Sequence, residues 1–280
     1  MHTVLPWPAA GAHDKHTSKQ EGTPSLLINI YIFLLGLCVG SFLNVCIFRI
    51  PAGRSIVRPA SACPGCGASI RWYDNIPVLS YLILRGRCRH CASSISARYP
   101  MVELLTAFSA LAVWLNFGWS AQTPIYFLFV AALLAITFID IDHRIIPDEI
   151  SLPGIPIGFA LSFLLPQVRW YDPLLGILIG GGSLFTVAWV YQLLTGKEGM
   201  GGGDVKLLAM IGAFIGWQGV LFTIMASSFI GTLVGLVVMI RMHKGMKLAV
   251  PFGPFLAIGA IVYLFFGPQI IDWYLYRFLM

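Results

Sequence analysis

Long, unbroken runs of apolar residues make up most of this chain, and they point to a helical, membrane-spanning fold. Only 11% of the residues are charged, against about 25% in soluble domains. The runs do not alternate apolar and polar residues as a transmembrane barrel requires. We therefore predict an all-α polytopic membrane protein with about eight transmembrane helices. The predicted helices cover residues 25–48, 100–118, 124–141, 149–166, 173–194, 205–216, 219–240 and 249–267.

The sixth run, 205–216, is short for a hydrocarbon layer of about 30 Å. A run of glycines precedes it. A short helix beside irregular backbone is tolerated in a membrane where neighbouring helices cover it. We therefore expect other helices of the bundle to cover this one.

Arginine is concentrated in the segment 49–98, which holds eight arginines and a single acid, Asp74. Because positively charged loops stay in the cytoplasm, this segment is predicted to be cytoplasmic and the N-terminus periplasmic. The same bias accounts for the formal net charge of +6. The charge therefore gives no reason to expect a nucleic-acid partner, and the lipid bilayer is the expected surrounding.

Composition divides the chain into four parts. Residues 1–24 are polar, with proline, glycine and mixed charge, which predicts a disordered tail on the outer side. Residues 25–48 form the first transmembrane helix, because the run is too long for the core of a cleavable signal peptide. Residues 49–99 form a small cytoplasmic domain, and 100–280 form the remaining, membrane-embedded part.

Two cysteine pairs in the cytoplasmic domain have the spacing of a zinc site. Cys63-Pro-Gly-Cys66 and Cys88-Arg-His-Cys91 are separated by 21 residues, close to the pattern in which two tight turns deliver four thiolates to one tetrahedral ion. Disulfides and redox-active pairs are the alternatives, although cytosolic thiols are normally kept reduced. A metal would also stabilise a segment this short, which has few large aliphatic residues. We therefore predict a structural zinc ion without a catalytic role.

Asp140 and Asp204 lie at the edges of long apolar runs, where a carboxylate is costly to hold. Asp140 follows the run AALLAITFI, and Asp204 follows a glycine run and precedes the sixth predicted helix. The charge bias places both at the same face of the membrane. Taken alone, Asp204 would be interpreted as a helix N-cap. The shared membrane face favours a catalytic pair instead.

The chemistry of such a pair is peptide hydrolysis without a covalent intermediate. Two carboxylates brought close together cannot both ionise at ordinary cost, so they share a proton. The ionised partner draws a proton from water while the protonated partner donates to the scissile carbonyl oxygen. No convincing Ser-His or Cys-His arrangement competes with this interpretation in the sequence.

Other polar residues and glycines near the aspartates are expected to support the site. On a helix Asp142 points about 200 degrees away from Asp140, so at most one of them faces a given site. Asp148 is placed to cap the helix that begins near Glu149, and interfacial solvation is the alternative role for Asp142. Glycines permit close backbone approach and let an extended peptide lie against the chain. The supporting set is Asp142, Asp148, Gly201, Gly202, Gly203 and Lys206.

Several motifs, in order along the chain, resemble those of the type IV prepilin peptidases, which are bifunctional leader peptidases and N-methyltransferases. The motifs are GSFLNVCIFRIP (40–51), the two cysteine pairs, IRWYDNIPVLSYLILRGRCRHC (70–91), ISARYPMVELLT (95–106), FIDIDHRIIPD (138–148) and GMGGGDVKLLAMIGAFIGW (199–217). The resemblance places the family's catalytic aspartates on Asp140 and Asp204. The Gly-x-Gly-Asp element of the family matches Gly201 to Asp204, with glycine also at x.

The resemblance implies prepilins and pseudopilins of type IV pilus and type II secretion systems as substrates, in a bacterial inner membrane. The leader would be cut on the cytoplasmic side, and the new N-terminal residue, usually Phe, methylated with S-adenosylmethionine. Methylation would be linked to the domain 49–99, and 100–280 would be an aspartic peptidase domain. The polar candidates for methyltransferase or substrate contacts are Asn44, Asp74, Asn75 and Glu103. Asn44 could equally form an interhelical hydrogen bond, and Glu103 is a candidate contact for a basic leader.

Other classes of protein would use these features differently. A proton-coupled transporter would place its acids near the bilayer midplane and would leave the cysteines unexplained. A zinc-organised assembly scaffold for pilus components would not need the aspartates. A presenilin-like protease would cut inside a membrane span, whereas acids near the membrane surface favour a cut beside it.

Overall fold

The structure, a computed structural model, describes residues 26–165, 168–197, 201–242 and 251–279. The predicted tail, 1–24, lies outside these residues. Within them the chain is helical and forms no strand beyond two isolated bridges, which confirms the all-α class. The helices are α1 (Leu26–Arg49), α2 (Leu79–Ile83), α3 (Arg98–Phe117), α4 (Gln122–His143), α5 (Asp148–Ser162), α6 (Tyr171–Thr195), α7 (Gly202–Met242) and α8 (Gly253–Leu279).

The described helices include five that are long and apolar enough to cross a membrane, namely α1, α3, α4, α6 and α7. The helix α5 has 15 residues and contains Pro153 and Pro156, and the apolar part of α8 covers Gly253–Gly267. A polytopic membrane protein is thus confirmed, but the predicted count of eight is not exact. The sixth and seventh predicted helices share α7.

The chain reverses direction within α7 at Gly216. The backbone there leaves the helical conformation, with φ 71° and ψ −179°, and a positive φ favours glycine. Beyond this point Phe222 packs against Tyr263, and Gly231 lies beside Phe255. Residue numbers in these contacts increase along α7 as they decrease along α8, so the second half of α7 runs antiparallel to α8. This reversal separates the two predicted runs, 205–216 and 219–240.

Close helix packing brings three helix ends together. A Cβ on Gly180 in α6 would lie 2.5 Å from the Leu208 carbonyl oxygen in α7, so the two backbones nearly touch, as small residues allow in membranes. Buried side chains of α4, α7 and α8, including Phe129, Leu208 and Leu256, share one core. As a result, the end of α4 and the beginnings of α7 and α8 meet at one end of the bundle.

Candidate active site and metal centre

Asp140 lies in the last turn of α4, and only 5% of it is exposed. The helix ends just beyond it, where Arg144 adopts a left-handed conformation and its backbone N–H donates to the Asp140 carbonyl oxygen at 2.9 Å. The Asp140 carboxylate accepts a hydrogen bond from the backbone N–H of Gly253, at 3.0 Å. Gly253 is the first residue of α8, and free N–H groups at helix N-termini stabilise anions. The start of α8 therefore fixes the Asp140 carboxylate.

Asp204 lies in the first turn of α7 and is partly exposed. Its carboxylate is near enough to that of Asp140 for the two negative charges to repel each other, so the end of α4 and the start of α7 place the two acids in one region of the bundle. A Cβ on Gly203 would lie 2.9 Å from the Cβ of Ile146, whereas a Cβ on Gly202 would meet open space. Gly203 thus lets α7 begin close to the connection between α4 and α5.

The two acids differ in accessibility, and this difference suits acid–base chemistry. Asp140 is buried and held by α8, whereas Asp204 lies beside Gly201 and Gly202, which are exposed. An extended peptide lying along these glycines would bring its carbonyl group to a fixed carboxylate and an accessible one. Such a pair can activate water and protonate a carbonyl oxygen in the same step.

Asp142 has a different role from Asp140, as their spacing on one helix predicts. Its carboxylate forms an ion pair with Arg98 at the start of α3. The Arg98 guanidinium also donates to the Phe138 carbonyl oxygen at 3.2 Å. Asp142 therefore joins the start of α3 to the end of α4.

Asp148 and Lys206 form an ion pair beside Asp204. The Lys206 ammonium donates to both carboxylate oxygens of Asp148, at 2.8 and 2.9 Å. Asp148 is the first residue of α5, and Pro147 occupies the cap position, so the prediction that Asp148 caps this helix is wrong. The pair instead joins the start of α5 to the start of α7, two residues beyond Asp204.

The thiols of Cys63, Cys66, Cys88 and Cys91 converge on one point. Their Sγ atoms all lie within 4.8 Å of one another, and those of Cys63 and Cys91 are 3.8 Å apart. A tetrahedral zinc ion with Zn–S bonds of about 2.3 Å separates its sulfurs by about 3.8 Å, whereas a disulfide needs about 2.05 Å. The cluster therefore has the composition and size of a zinc site.

The two cysteine pairs lie in turns of the same kind. In each, the backbone N–H four residues after the first cysteine donates to the carbonyl oxygen of that cysteine. These bonds are Gly67 to Cys63 at 2.8 Å and Ala92 to Cys88 at 3.0 Å. The donor residue has a positive φ in both turns, 69° at Gly67 and 57° at Ala92. The second turn thus holds alanine in a conformation that favours glycine.

Hydrogen bonding and desolvation give Cys63, Cys66 and Cys91 different pKa values. The Ser93 hydroxyl lies 3.6 Å from the Cys63 sulfur and 3.1 Å from that of Cys91. This hydrogen bonding lowers the pKa of Cys63 to about 6 and also lowers the pKa of Cys91. At Cys66 a hydrogen bond from the Ala68 backbone favours the thiolate, but desolvation and the three other thiols outweigh it and raise the pKa of Cys66 to about 11. A bound dication would stabilise all four thiolates.

Comparison with known proteins shows where this chain belongs. The bacterial peptidase A24 N-terminal domain matches residues 34–117, and the type IV leader peptidase family matches residues 127–236. A prepilin leader peptidase/N-methyltransferase of Aeromonas hydrophila is 39% identical over 286 residues, which cover 92% of this chain and 97% of the relative. The chain belongs to the type IV leader peptidase family. This confirms the resemblance found in the sequence.

Further relatives with the same name agree. The protein of Pseudomonas aeruginosa is 41% identical and covers 86% of this chain and 91% of its own length. That of Pseudomonas putida is 40% identical and covers 85% of this chain and 90% of its own length. No solved structure matches the chain. In this member of the type IV leader peptidase family, the four cysteines lie in the first matched region and both aspartates in the second.

Three of the four candidates for methyltransferase or substrate contacts are bonded to protein groups. Asn44 donates to the Tyr99 carbonyl oxygen at 3.0 Å, which is the interhelical hydrogen bond considered as its alternative. Glu103 is 7% exposed and accepts the backbone N–H of Val78 at 2.7 Å. Because its carboxylate is buried, Glu103 does not present itself to the basic leader of a prepilin.

Asp74 forms a bidentate ion pair with Arg89, with contacts between 2.5 and 3.1 Å. Hydrogen bonding to Arg89 lowers the pKa of Asp74. Arg89 follows Cys88 directly, so this pair joins the segment before α2 to the second cysteine turn. Asn75 is exposed beside Asp74.

The sequence motifs did not single out two residues that contact the candidate peptidase site. Gly253 lies 113 positions from Asp140, and the available signal was the glycine between two prolines in Pro251-Phe-Gly-Pro254. Arg98 was recognised as one of many cytoplasmic arginines, and the available signal was its position as the last basic residue before an apolar run. Neither signal identifies the partner.

Proposed function

We propose that this chain removes the leader peptide of type IV prepilins and pseudopilins and then methylates the new N-terminal residue, usually phenylalanine. The proposal rests on the placement of Asp140 at the end of α4 and Asp204 at the start of α7, near enough for the two carboxylates to repel each other. This arrangement occurs in a chain that is 39% identical, over 92% of its length, to a prepilin leader peptidase/N-methyltransferase. Prepilins and pseudopilins are the partners that this activity requires.

Hydrolysis proceeds through water and needs no covalent intermediate. The ionised aspartate takes a proton from water, and the protonated one donates to the scissile carbonyl oxygen. The Gly253 N–H orients Asp140 before substrate arrives. Gly201 and Gly202 leave space for an extended leader, since a Cβ on either would meet no atom within 4 Å.

A structural zinc ion fits the four thiols. The ligands would be Cys63, Cys66, Cys88 and Cys91, whose spacing supports a tetrahedral site. Four thiolates leave no open coordination position, so the bound ion supplies folding energy and no catalytic step. The Cys63 and Cys91 sulfurs, which are 3.8 Å apart, belong to different pairs, and this convergence of both pairs on one point favours a shared ion over two separate redox-active pairs.

S-adenosylmethionine is the methyl donor that the family resemblance implies. The proposed contact residues do not fit a pocket for it, because Asn44, Asp74 and Glu103 each already hydrogen-bond to another protein group. Asn75 alone offers an exposed side chain. We assign methylation to the domain 49–99 as a unit and not to these four residues.

The chain is assigned to the bacterial inner membrane, with its N-terminus periplasmic and both sites cytoplasmic. The eight arginines of the segment 49–98, set against Asp74 alone, support this orientation. Asp140 lies three residues from the end of α4, near the membrane boundary. That depth favours a cut beside the membrane over a proton-relay or intramembrane role.

Mass spectrometry of a co-expressed prepilin tests both activities, because leader loss and the added methyl group change the mass independently. We expect Asp140→Asn and Asp204→Asn each to abolish leader removal while the protein still inserts and folds. Asp272→Asn is the matched control, since Asp272 is an exposed acid in α8. The prepilin that is co-expressed with this variant should be processed as it is with the unchanged chain.

The result that overturns the peptidase proposal is mature pilin produced by the doubly neutralised variant, Asp140→Asn with Asp204→Asn. Unprocessed pilin from the unchanged chain would favour an assembly scaffold or a transporter instead. Cleaved pilin without a methyl group would remove the methyltransferase part alone.

A further inference from the structure

The short helix α2 exposes apolar side chains that a water-facing surface would not favour. Leu79, Leu82 and Ile83 are 49%, 64% and 66% exposed. Close to them, Trp72 is 80% exposed. A contiguous apolar surface of this kind marks a site of interaction with a membrane or another protein.

The depth of α2 relative to the bundle identifies the environment. Arg98 and Asp142, at the ends of α3 and α4, form a partly exposed ion pair, which marks the polar boundary. Glu103 lies five residues further into α3, about 7 Å along the helix axis, and its carboxylate accepts the N–H of Val78, the residue just before α2. Because helical side chains tilt toward the N-terminus, that carboxylate lies slightly nearer the boundary. The start of α2 is thus at the depth of an interfacial helix.

The position of α2 is held firmly. Val78 has a positive φ of 59°, which is rare for a β-branched residue and persists only where the surroundings impose it. The hydrogen bond to buried Glu103 is one such restraint. The Ser80 hydroxyl provides another, since it donates to the Tyr73 carbonyl oxygen at 3.0 Å and accepts the N–H of Ile76 at 3.0 Å.

Basic residues follow the apolar surface directly. Arg85 and Arg87 come after α2 and are exposed, and the turn between them places Arg85 and Gly86 at positive φ. A short apolar helix bordered by arginine has the pattern of a segment that lies in the headgroup layer of an anionic membrane. A basic leader peptide would be repelled by the same charges.

We propose that α2 seats in the membrane leaflet on the side of the two aspartates. Leu79, Leu82 and Ile83 contact acyl chains, and Arg85 and Arg87 bind the phosphates of anionic phospholipid. The cysteine-bearing domain is then held against the membrane by α2 as well as by α1 and α3. This proposal does not depend on the proposed enzymatic function.

Photo-cross-linking of the full chain tests the proposal. The chain carries p-benzoylphenylalanine at the position of Leu82 or of Ile83 and is reconstituted in vesicles of phosphatidylethanolamine and phosphatidylglycerol. Phe108 in α3, which is 58% exposed, is the lipid-facing positive control. Ala62, exposed beside the first cysteine pair, is the control outside the membrane.

We expect phospholipid adducts at positions 82 and 83 with yields close to those at 108 and well above those at 62. Yields at the level of position 62, or adducts with an added prepilin peptide in place of lipid, would overturn the proposal. In the Arg85→Gln and Arg87→Gln variants the phosphatidylglycerol share of the adducts should fall by roughly fivefold per arginine. An unchanged share would overturn the assignment to anionic lipid.

Discussion

Single residues decide whether the two aspartates can meet. Gly203 gives the start of α7 room beside Ile146, and Gly253 leaves its N–H open to Asp140. Both positions are where separate helix ends approach, so a methyl group there has no space to occupy. Such contacts are sensitive to an added methyl group, because the closely packed neighbours cannot move aside freely.

Gly253→Ala should impair cleavage more than stability. A Cβ at position 253 would lie 2.6 Å from an Asp140 carboxylate oxygen, so the carboxylate must move. Misplacement of a catalytic group by about 1 Å costs roughly 100-fold in rate. We expect kcat for leader cleavage to fall roughly ten- to hundredfold, with methylation of an already cleaved pilin unchanged, as measured by mass spectrometry of timed reactions.

The matched control for this substitution is Gly235→Ala. A Cβ there would meet no atom within 4 Å, and alanine is favoured over glycine within a helix. Equal cleavage rates in the two variants would show that the Gly253 contact does not position Asp140.

The two cysteine turns allow a reciprocal test of backbone strain. A left-handed conformation costs an L-residue about 1–2 kcal/mol, partly offset by the greater freedom of glycine in the unfolded chain, about 0.4–1 kcal/mol. We expect Ala92→Gly to tighten zinc binding by roughly fivefold and Gly67→Ala to weaken it by a similar factor. Competition of the purified chain against a chromophoric chelator measures both. Shifts in the same direction would contradict a common turn geometry.

At the scale of helices, ion pairs at helix ends hold the site together. Arg98 and Asp142 join α3 to α4, and Lys206 and Asp148 join α7 to α5. Partly exposed pairs such as these contribute only about 0–1 kcal/mol to stability. We therefore expect these pairs to position the site rather than to stabilise the fold, because each lies within two residues of Asp140 or Asp204, the proposed catalytic aspartates.

A double-mutant cycle on Lys206 and Asp148 should separate position from charge. We expect Lys206→Gln and Asp148→Asn each to lower kcat/KM for cleavage by roughly threefold, with the melting temperature nearly unchanged. Because either substitution already removes the pair, the double variant should lose no more than one single variant does. If the losses of kcat/KM in the two single variants multiply in the double variant, this expectation is contradicted. It is also contradicted if Glu149→Gln, which neutralises the exposed neighbouring acid, lowers kcat/KM by the same factor.

Local patterns predicted the helices and the candidate aspartates, but not the contacts between helix ends. Hydropathy and the cost of a carboxylate in an apolar run are local properties, so they identified Asp140 and Asp204. The Gly253 contact spans 113 positions and the Asp148–Lys206 pair spans 58, and both depend on which helices pack together. The bond from Val78 to Glu103 depends on a strained turn that no periodicity marks.

At the scale of the whole molecule, the two candidate sites are built from different helices. The cysteines lie between α1 and α3, whereas the aspartates belong to α4 and α7. The described links from the cysteine-bearing domain to the bundle include the Val78–Glu103 bond and the Arg98–Asp142 pair. Only the second of these reaches the helix that carries Asp140.

Metal removal should therefore separate the two activities. We expect a zinc chelator in excess to leave leader cleavage above roughly half of its initial rate, because the Gly253 contact that orients Asp140 lies outside the metal-bound segment. Methylation should be lost, and trypsin should cut faster at Arg85 and Arg87 as the segment loosens. Added zinc should restore methylation and the original resistance to trypsin. If cleavage is lost in parallel with methylation while the helix content stays unchanged, the metal also supports the aspartate pair.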